Sequence, residues 1–466
     1  MIGPRTGLAV LLVATGAGAA EAQNSLNRPG SGARAAAMGN AFIAVSDDGT
    51  AASWNPAGLS QLRRPEFSLV HSTTWRNQRL DGFRTSDQTA AFTSIATPSG
   101  SANLEFASAA LPFDLGGRPA TIQFGWRRLY QFNNRILGDV RRVPIAAGGR
   151  EEARLRFDNT TSGSIHLWTA TAAIRLTNRL SVGIGADIYG GGWKNQGNLS
   201  EDPGIDGPTD FLATRVDNRI SGHAVNVGLL LAYPTIRVGA VYHGQLSGRY
   251  EVTQAIRSNL VEAVDETIGE DGSVHLRLPR SLGVGLAWLP KPLLRFATDL
   301  TYDEWTQFLL EGTPDSSTEP VSGFDGLPES LSATRNTVTL NAGMERLFPA
   351  GANYLPLRLG FSYEPQGGRD PVLRANSDHF IVAGGTGVNS NSLKIDVSLE
   401  YRWGEFRSMD DISVVYAAGR AADFGLPPGR EAAGSTLIKE WRLKASVIYR
   451  LASADKLWSL FTKPFD

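Results

Sequence analysis

The sequence predicts an all-β fold: a 14-stranded antiparallel transmembrane β-barrel with an N-terminal plug in its lumen. Three observations predict it. After residue 65, apolar and polar residues alternate along most segments, which is typical of strands with one apolar and one polar face. Most of these segments reach the ~10 residues that a tilted strand needs to cross a bilayer. Short turns also alternate with longer polar loops, as in transmembrane barrels.

The first predicted element is a secretory signal peptide at residues 1–22. It combines a basic residue, Arg5, with an apolar run over residues 8–20 and a small-residue end at residues 20–22. These are the three parts of such a signal. The run is short for a membrane span, and no later stretch is continuously apolar over the roughly 18 residues that a membrane helix needs. The sequence therefore argues against a helical membrane protein.

Residues 23–64 form the second predicted element, a plug folded into the lumen. They are rich in Ala and Gly and do not alternate. A barrel of this size leaves a water-filled interior unless something fills it. The large apolar side chains of Met38, Phe42 and Trp54 are suited to packing there. A flexible periplasmic extension is the alternative for this segment.

Residues 65–451 form the predicted barrel. In one segment Leu393, Ile395 and Val397 lie on the face opposite Lys394 and Asp396. Charged side chains are costly in lipid, so the polar face must line the lumen. The fourteen predicted strands are 66–75, 88–112, 119–130, 163–176, 179–192, 219–233, 235–249, 273–288, 292–308, 333–347, 355–364, 378–387, 393–406 and 438–451.

The connections place both termini on one side of the membrane. An even number of strands joined by short turns on the terminal side predicts periplasmic termini and long extracellular loops. The amphipathic tail at residues 452–466 follows the last strand, and the pattern gives it no role. The predicted long loops are 76–87, 131–162, 193–218, 250–272, 309–332, 365–377 and 407–437.

Composition excludes several classes of function. The formal net charge is −1 and cysteine is absent, which argues against a nucleic-acid binder that relies on basic charge and excludes cysteine-based zinc or disulfide chemistry. The six histidines show no HExxH spacing, and no Gly-x-Ser-x-Gly elbow is present, so the sequence does not indicate an enzyme. The acidic loop at residues 201–210 lacks EF-hand spacing, and we expect neither a metal nor a cofactor.

Two blocks of sequence resemble the FadL/TodX-like outer-membrane transporters of hydrophobic compounds. Residues 32–42 and 46–48, followed by the Trp-Asn-Pro-Ala-Gly-Leu run at residues 54–59, resemble the N-terminal hatch of that family. Residues 276–308, with Leu-Pro-Arg-Ser-Leu-Gly-Val-Gly at residues 278–285, are a second match. A weaker similarity continues through strands ten to thirteen.

The resemblance implies uptake of long-chain fatty acids or other hydrophobic small molecules by passive diffusion. It implies a hatch-gated barrel in the bacterial outer membrane, in contact with its lipid, with lateral exit through a weak point in the third strand, here Gly125. The family's carboxylate-holding basic groups are represented only by Lys194, since residues 311–312 read Glu-Gly, so a neutral ligand stays open. The residues implied in hatch gating are Arg34, Met38, Phe42, Asn55, Pro56 and Ala57.

A second functional interpretation is compatible with the same fold. Residues 32–39 also resemble the start of PorV-like barrels, which assist protein secretion and surface attachment, and that reading implies a secreted protein as partner. A continuous apolar path through the lumen would favour transport, whereas an exposed protein-binding surface would favour secretion. A passive porin is disfavoured because the hatch would block it.

Overall fold

The computed structural model describes residues 27, 30–85, 95–141, 154–202, 210–258, 264–268, 274–312, 319–324, 327–369, 376–408 and 432–452. The signal peptide predicted at residues 1–22 and nearly all of the tail at 452–466 lie outside these ranges. The described helices are short: α1 (Ala33–Ala37) and the 3₁₀ turns η1 (Ala51–Ser53), η2 (Pro56–Gln61) and η3 (Trp305–Gln307). No helix in these ranges is long and apolar enough to cross a membrane.

The remaining elements form one antiparallel sheet. Its segments are β1 (Glu66–Thr85), β2 (Ile95–Asp114), β3 (Pro119–Arg141), β4 (Arg154–Arg175), β5 (Leu180–Asp202), β6 (Asp210–Ala232), β7 (Ile236–His243), β8 (Leu246–Ser258), β9 (Val264–Ile268), β10 (Val274–Leu278), β11 (Ser281–Lys291), β12 (Leu294–Asp303), β13 (Leu309–Glu311), β14 (Val321–Ser322), β15 (Thr337–Ala350), β16 (Asn353–Pro365), β17 (Asp378–Asn389), β18 (Leu393–Ser408) and β19 (Ala432–Arg450).

The sheet closes into the predicted 14-stranded barrel. β1 pairs with β2 on one side and with β19 on the other, so its edges meet. The pairs β7/β8, β10/β11 and β12/β13 are each two halves of one strand of the barrel, while β9 and β14 are short additions outside the fourteen. Closure removes the edges of the sheet, whose backbone groups would otherwise lack partners in the hydrocarbon.

The two faces of the wall are those that the alternation predicts. On β18, the outward side chains of Ile395 and Val397 are 38% and 40% exposed, whereas Lys394 and Asp396 on the inner face are 3% and 1% exposed. Large aromatic side chains such as Trp441 and Tyr449 also face outwards. A closed wall with an apolar outside and a charged inside is a transmembrane β-barrel.

Several strands are longer than the sequence predicted. β1 continues to residue 85, β3 to 141 and β5 to 202, while β4 begins at 154 and β6 at 210. Much of the predicted long loops 76–87, 131–162 and 193–218 is therefore strand. Beyond the bilayer both faces of a strand meet water, so the apolar-polar alternation that marked the strands stops before the strands do.

Candidate ligand pathway

Residues 30–62, here called the N-terminal segment, lie against the inner face of the barrel. Helix α1 contacts β16 to β19, and η2 contacts β3 to β6, so the segment reaches both sides of the lumen. The six residues implied in hatch gating all lie in this segment and are all buried: Arg34, Met38, Phe42, Asn55, Pro56 and Ala57. Their role in gating stays a prediction.

Arg34 is the main charged anchor of this segment. Its guanidinium donates through Nε and Nη2 to the two carboxylate oxygens of Glu345 on β15, both at 2.8 Å. Its Nη1 donates to Asp47 at 2.5 Å. Glu345 also accepts from Arg358 Nε at 2.7 Å, and the two-oxygen geometry is the strong form of such a pair. This network anchors the segment to the wall.

The two acidic residues of the segment are held in their charged forms. Burial alone would raise the pKa of Asp47, but the guanidinium groups of Arg34, Arg295 and Arg237 outweigh it and hold that pKa well below its ordinary value. Burial opposes ionisation of Asp48 too, and Lys394, whose Nζ lies 2.6 Å away, together with Arg34 keeps the pKa of Asp48 low. Both carboxylates therefore act as fixed negative charges at neutral pH.

A second anchor uses the backbone of the segment. The N–H groups of Phe42 and Ile43 both donate to Oδ2 of Asp299 on β12, at 2.6 and 2.8 Å. The ring of Phe42 packs edge-on against Trp54 at 5.8 Å between centroids. Two consecutive N–H groups are thus bound to one oxygen of the wall, so Asp299 fixes the turn that follows α1.

The Asn-Pro-Ala run is a helix cap fastened to the wall. Asn55 has extended backbone (φ −149°, ψ 108°), as a following proline favours, and its Oδ1 accepts from Ala57 N–H at 3.1 Å. Pro56 occupies the first position of η2, where its missing N–H costs nothing. The Asn55 amide donates to the Leu229 carbonyl of β6 at 2.9 Å. The run thus has a structural role, whatever it does in gating.

Two glycines of the wall let the segment approach closely. Gly343 on β15 faces the Met38 carbonyl, and Gly360 on β16 faces the backbone of Gly39; a Cβ at either position would collide with that backbone. Gly39 itself has φ +60°, a conformation that suits glycine after a helix end. The backbone of the segment is therefore seated in notches that only glycine provides.

The inner face of β3 to β10 carries an apolar patch, here called the luminal apolar cluster. It lies farther from the short turns than the N-terminal segment does, since η2 meets β5 at Gly183 and the cluster begins at Tyr189. Trp193 stacks on Tyr250 at 5.8 Å between centroids, and Tyr250 Oη donates to Asn218 Oδ1 at 2.6 Å. Its members are Tyr130, Phe132, Ile165, Leu167, Tyr189, Trp193, Val216, Ile220, Ala224, Leu246, Tyr250, Val252, Val274, Leu276 and Leu278.

The wall has a gap between β2 and β3. Their described ladder runs from Asp114 paired with Pro119 to Phe106 paired with Arg127 and stops there. Both strands carry a bulge at this point, because the pairing with β1 skips Glu105 and the pairing with β4 skips Leu129. A bulge bends its strand. The two strands consequently separate over residues 99–105 and 128–133, here called the β2–β3 gap.

A polar cavity of about 130 Å³ extends from this gap to the N-terminal segment. Asn27, Ser31 and Asn40 line it on the inside, and Ser101 and Gln131 line it at the gap. Leu129 also lines the cavity and packs against the luminal apolar cluster. The charged lining residues are Arg76, Glu105, Arg128, Glu364, Arg402, Arg442 and Lys444.

The other two residues singled out from the sequence lie near these features but not within them. Gly125 is paired on both sides, with Ser108 of β2 and Thr169 of β4, and the gap starts three residues later because the bulges are at Glu105 and Leu129. Lys194 projects outwards from β5, next to the inward Trp193, and its Nζ lies 3.4 Å from Asp217. The structure does not bring Lys194 into the lumen.

Several solved structures share this fold. A Pseudomonas aeruginosa FadL homologue matches with a TM-score of 0.56 and 14% identity, covering 91% of this chain and 98% of that chain. The Ralstonia pickettii toluene transporter TbuX matches with a TM-score of 0.52 and 15% identity, covering 92% and 100%. The Pseudomonas putida toluene transporter TodX matches with a TM-score of 0.52 and 14% identity, covering 91% and 99%.

These comparisons confirm the expected resemblance at the level of the fold: the chain has a FadL-like barrel. No protein-family model and no curated protein sequence matches it. In the described ranges, no three His, Asp or Glu residues lie together as a metal site would require.

Proposed function

We propose that this chain is an outer-membrane transport protein for the uptake of hydrophobic small molecules. The observation that supports it best is the luminal apolar cluster, which lies inside a barrel whose inner face also carries many buried charged side chains. Apolar side chains on the inside of a water-accessible barrel gain nothing from lipid, so they serve to bind an apolar ligand. The named functions of the similar structures, toluene transport among them, agree with this assignment.

The ligand leaves sideways, in this proposal, and does not displace the whole N-terminal segment. A straight route to the periplasm would break the Arg34–Glu345 pair and the Asp299 hydrogen bonds. Removing one partner of a buried pair alone costs about 3–5 kcal/mol. The route from the cluster past Leu129 to the β2–β3 gap leaves both anchors intact. The segment then stays anchored to the wall as a hatch, and only local shifts within it admit the ligand to the cavity.

Transport by this route is passive and needs no energy source. The cluster offers a gain of about 25 cal/mol for each Å² of apolar ligand surface that leaves water. The ligand then passes into membrane lipid, a solvent equally favourable for it. Long-chain fatty acids and neutral hydrocarbons both meet this requirement, and we propose no enzymatic step.

Ligand binding at the cluster is the decisive test. Purified protein is titrated with 1-dodecanol while tryptophan fluorescence is followed, and the signal is compared with that of Trp193→Phe. We expect saturable binding whose fluorescence change is lost in Trp193→Phe. The matched control is Trp168→Phe, because Trp168 faces outwards and is 60% exposed. Mass spectrometry of extracted small molecules, against a mock purification, identifies a retained apolar ligand. No saturable binding, together with a secreted protein that co-purifies, would favour the secretion alternative.

A further inference from the structure

We propose that the polar cavity at the β2–β3 gap binds the anionic head group of an amphipathic ligand, with Arg128 as the cation that recognises it. The inference rests on the proposed function, since the ligand reaches the cavity from the luminal apolar cluster. Three features support it: the charge pairing of the cavity lining, the place of Arg128 in the wall, and the contact between cavity and cluster.

The charge pairing distinguishes Arg128 from the other cations of the lining. Arg76 lies 2.6 Å from Glu440, and Arg442 lies 2.7 Å from Glu440 and 4.0 Å from Glu400. Two further pairs, Lys444 with Glu105 at 3.1 Å and Arg402 with Glu364 at 3.6 Å, complete the set of matched charges. The guanidinium of Arg128 has no carboxylate partner in the part of the chain that the structure describes. Arg128 is therefore the one cation of the lining without a carboxylate partner among the described residues.

Arg128 is held at the edge of the gap by weak, neutral contacts. Its Nη1 donates to Gln131 Oε1 at 3.1 Å, and its guanidinium carbon lies 5.7 Å from the centre of the Trp126 ring. A cation at membrane depth is costly unless an anion accompanies it. A carboxylate or phosphate in the cavity would supply two or more charge-assisted hydrogen bonds. The site is thus preorganised for an anion.

The dimensions of the cavity fit a head group and not a whole ligand. At about 130 Å³ it has room for several water molecules, the space that a partly hydrated carboxylate or phosphate needs. A long alkyl chain does not fit, but Leu129 joins the cavity to the luminal apolar cluster. An amphipath can therefore place its chain on the cluster and its head group beside Arg128.

The experiment compares two probes of the same chain length, laurate and 1-dodecanol, in the folded protein reconstituted in phosphatidylcholine nanodiscs. Arg128→Gln should lower laurate affinity about tenfold, the effect of losing a hydrogen bond to a charged group, and leave dodecanol affinity unchanged. Arg128→Lys keeps the charge and should restore most of the difference. The control Arg135→Gln removes an equal charge from the same strand, where Arg135 pairs with Asp158 at 2.8 Å in an exposed position.

The outcomes separate this inference from the proposed function. If Arg128→Gln changes laurate and dodecanol affinity alike, or changes neither while both probes bind, the anion site is refuted and the transport proposal stands. If neither probe binds the parent protein, the proposed function fails and this inference fails with it. Heat-modifiable electrophoretic mobility checks that each variant has folded.

A further arm identifies the source of the anion. Nanodiscs that contain phosphatidylglycerol present a phosphate whose charge, unlike that of phosphatidylcholine, is not balanced by a choline cation. If that phosphate occupies the site, anionic lipid lowers laurate affinity of the parent and not of Arg128→Gln, and the physiological occupant is a membrane lipid. If anionic lipid has no effect on the parent, while Arg128→Gln still lowers the affinity for laurate and not for dodecanol, the head group belongs to the transported ligand.

Discussion

Replacing Arg34 by Gln should loosen the N-terminal segment measurably. The side chain makes two hydrogen bonds to Glu345 at 2.8 Å and one to Asp47, and it is 8% exposed. Breaking a buried pair costs about 3–5 kcal/mol when the remaining charge is orphaned. Here Glu345 keeps Arg358 at 2.7 Å and Asp47 keeps Arg295 at 3.4 Å, so we expect the lower end, about 3 kcal/mol.

The absence of cysteine from the chain provides a clean assay. Ser46→Cys places an isosteric thiol in the segment at a position that is 0% exposed, and its labelling rate by a maleimide reports how often the segment leaves the wall. A loss of about 3 kcal/mol should raise that rate about a hundredfold. Arg64→Gln is the control, because this half-buried arginine lies outside the segment and donates to Asn391. A rate in Arg34→Gln within threefold of the parent would refute the argument.

Three further predictions concern the same segment, and each is measured as conductance in planar bilayers. Gly360→Leu should displace the segment and open a pathway for ions, because the new side chain would collide with Gly39. Gly384→Ala meets only ordinary contacts near 3.6 Å and should stay closed. Equal conductance in the two variants would contradict the close approach of the segment to Gly360. Deleting residues 30–62 should make the barrel leaky to small polar solutes. An unchanged, closed conductance would refute the hypothesis that this segment plugs the barrel. Lowering the pH below about 4 should release the segment and raise the conductance: because the folded-state pKa values of Asp47 and Asp48 are depressed, their stabilisation is present above the unfolded value of about 3.9 and is lost as pH falls below it. A conductance that stays unchanged down to pH 2 would contradict that assignment.

Much of the fold follows from a local pattern in the sequence. The period of two assigns each residue of β18 to a face, and the apolar face turned out to be the outer one, as at Ile395 and Val397. The same period applied to β5 places Lys194 outside once Trp193 is inside. The sequence therefore contained the signal that separates Lys194 from the lumen, although the resemblance to a family pointed the other way.

The ends of the strands were less predictable, because the alternation has a physical cause that stops at the bilayer surface. β3 continues to residue 141 and β5 to 202, where both faces are wet and selection for an apolar face ends. Glu345 could not be recognised as the partner of Arg34 either, since the two are 311 residues apart in the chain. No local pattern reports a contact over that distance.

By itself the sequence determined the closed barrel, its polar interior and the buried N-terminal segment, because side-chain periodicity and apolar residues such as Met38 and Phe42 fix which surfaces leave water. Only the tertiary structure decided where the wall opens. The gap depends on bulges at Glu105 and Leu129, and a bulge exists only in the register between a strand and its neighbours. Arg128 has its place beside the cavity for the same reason: its surroundings are set by the pairing of three strands.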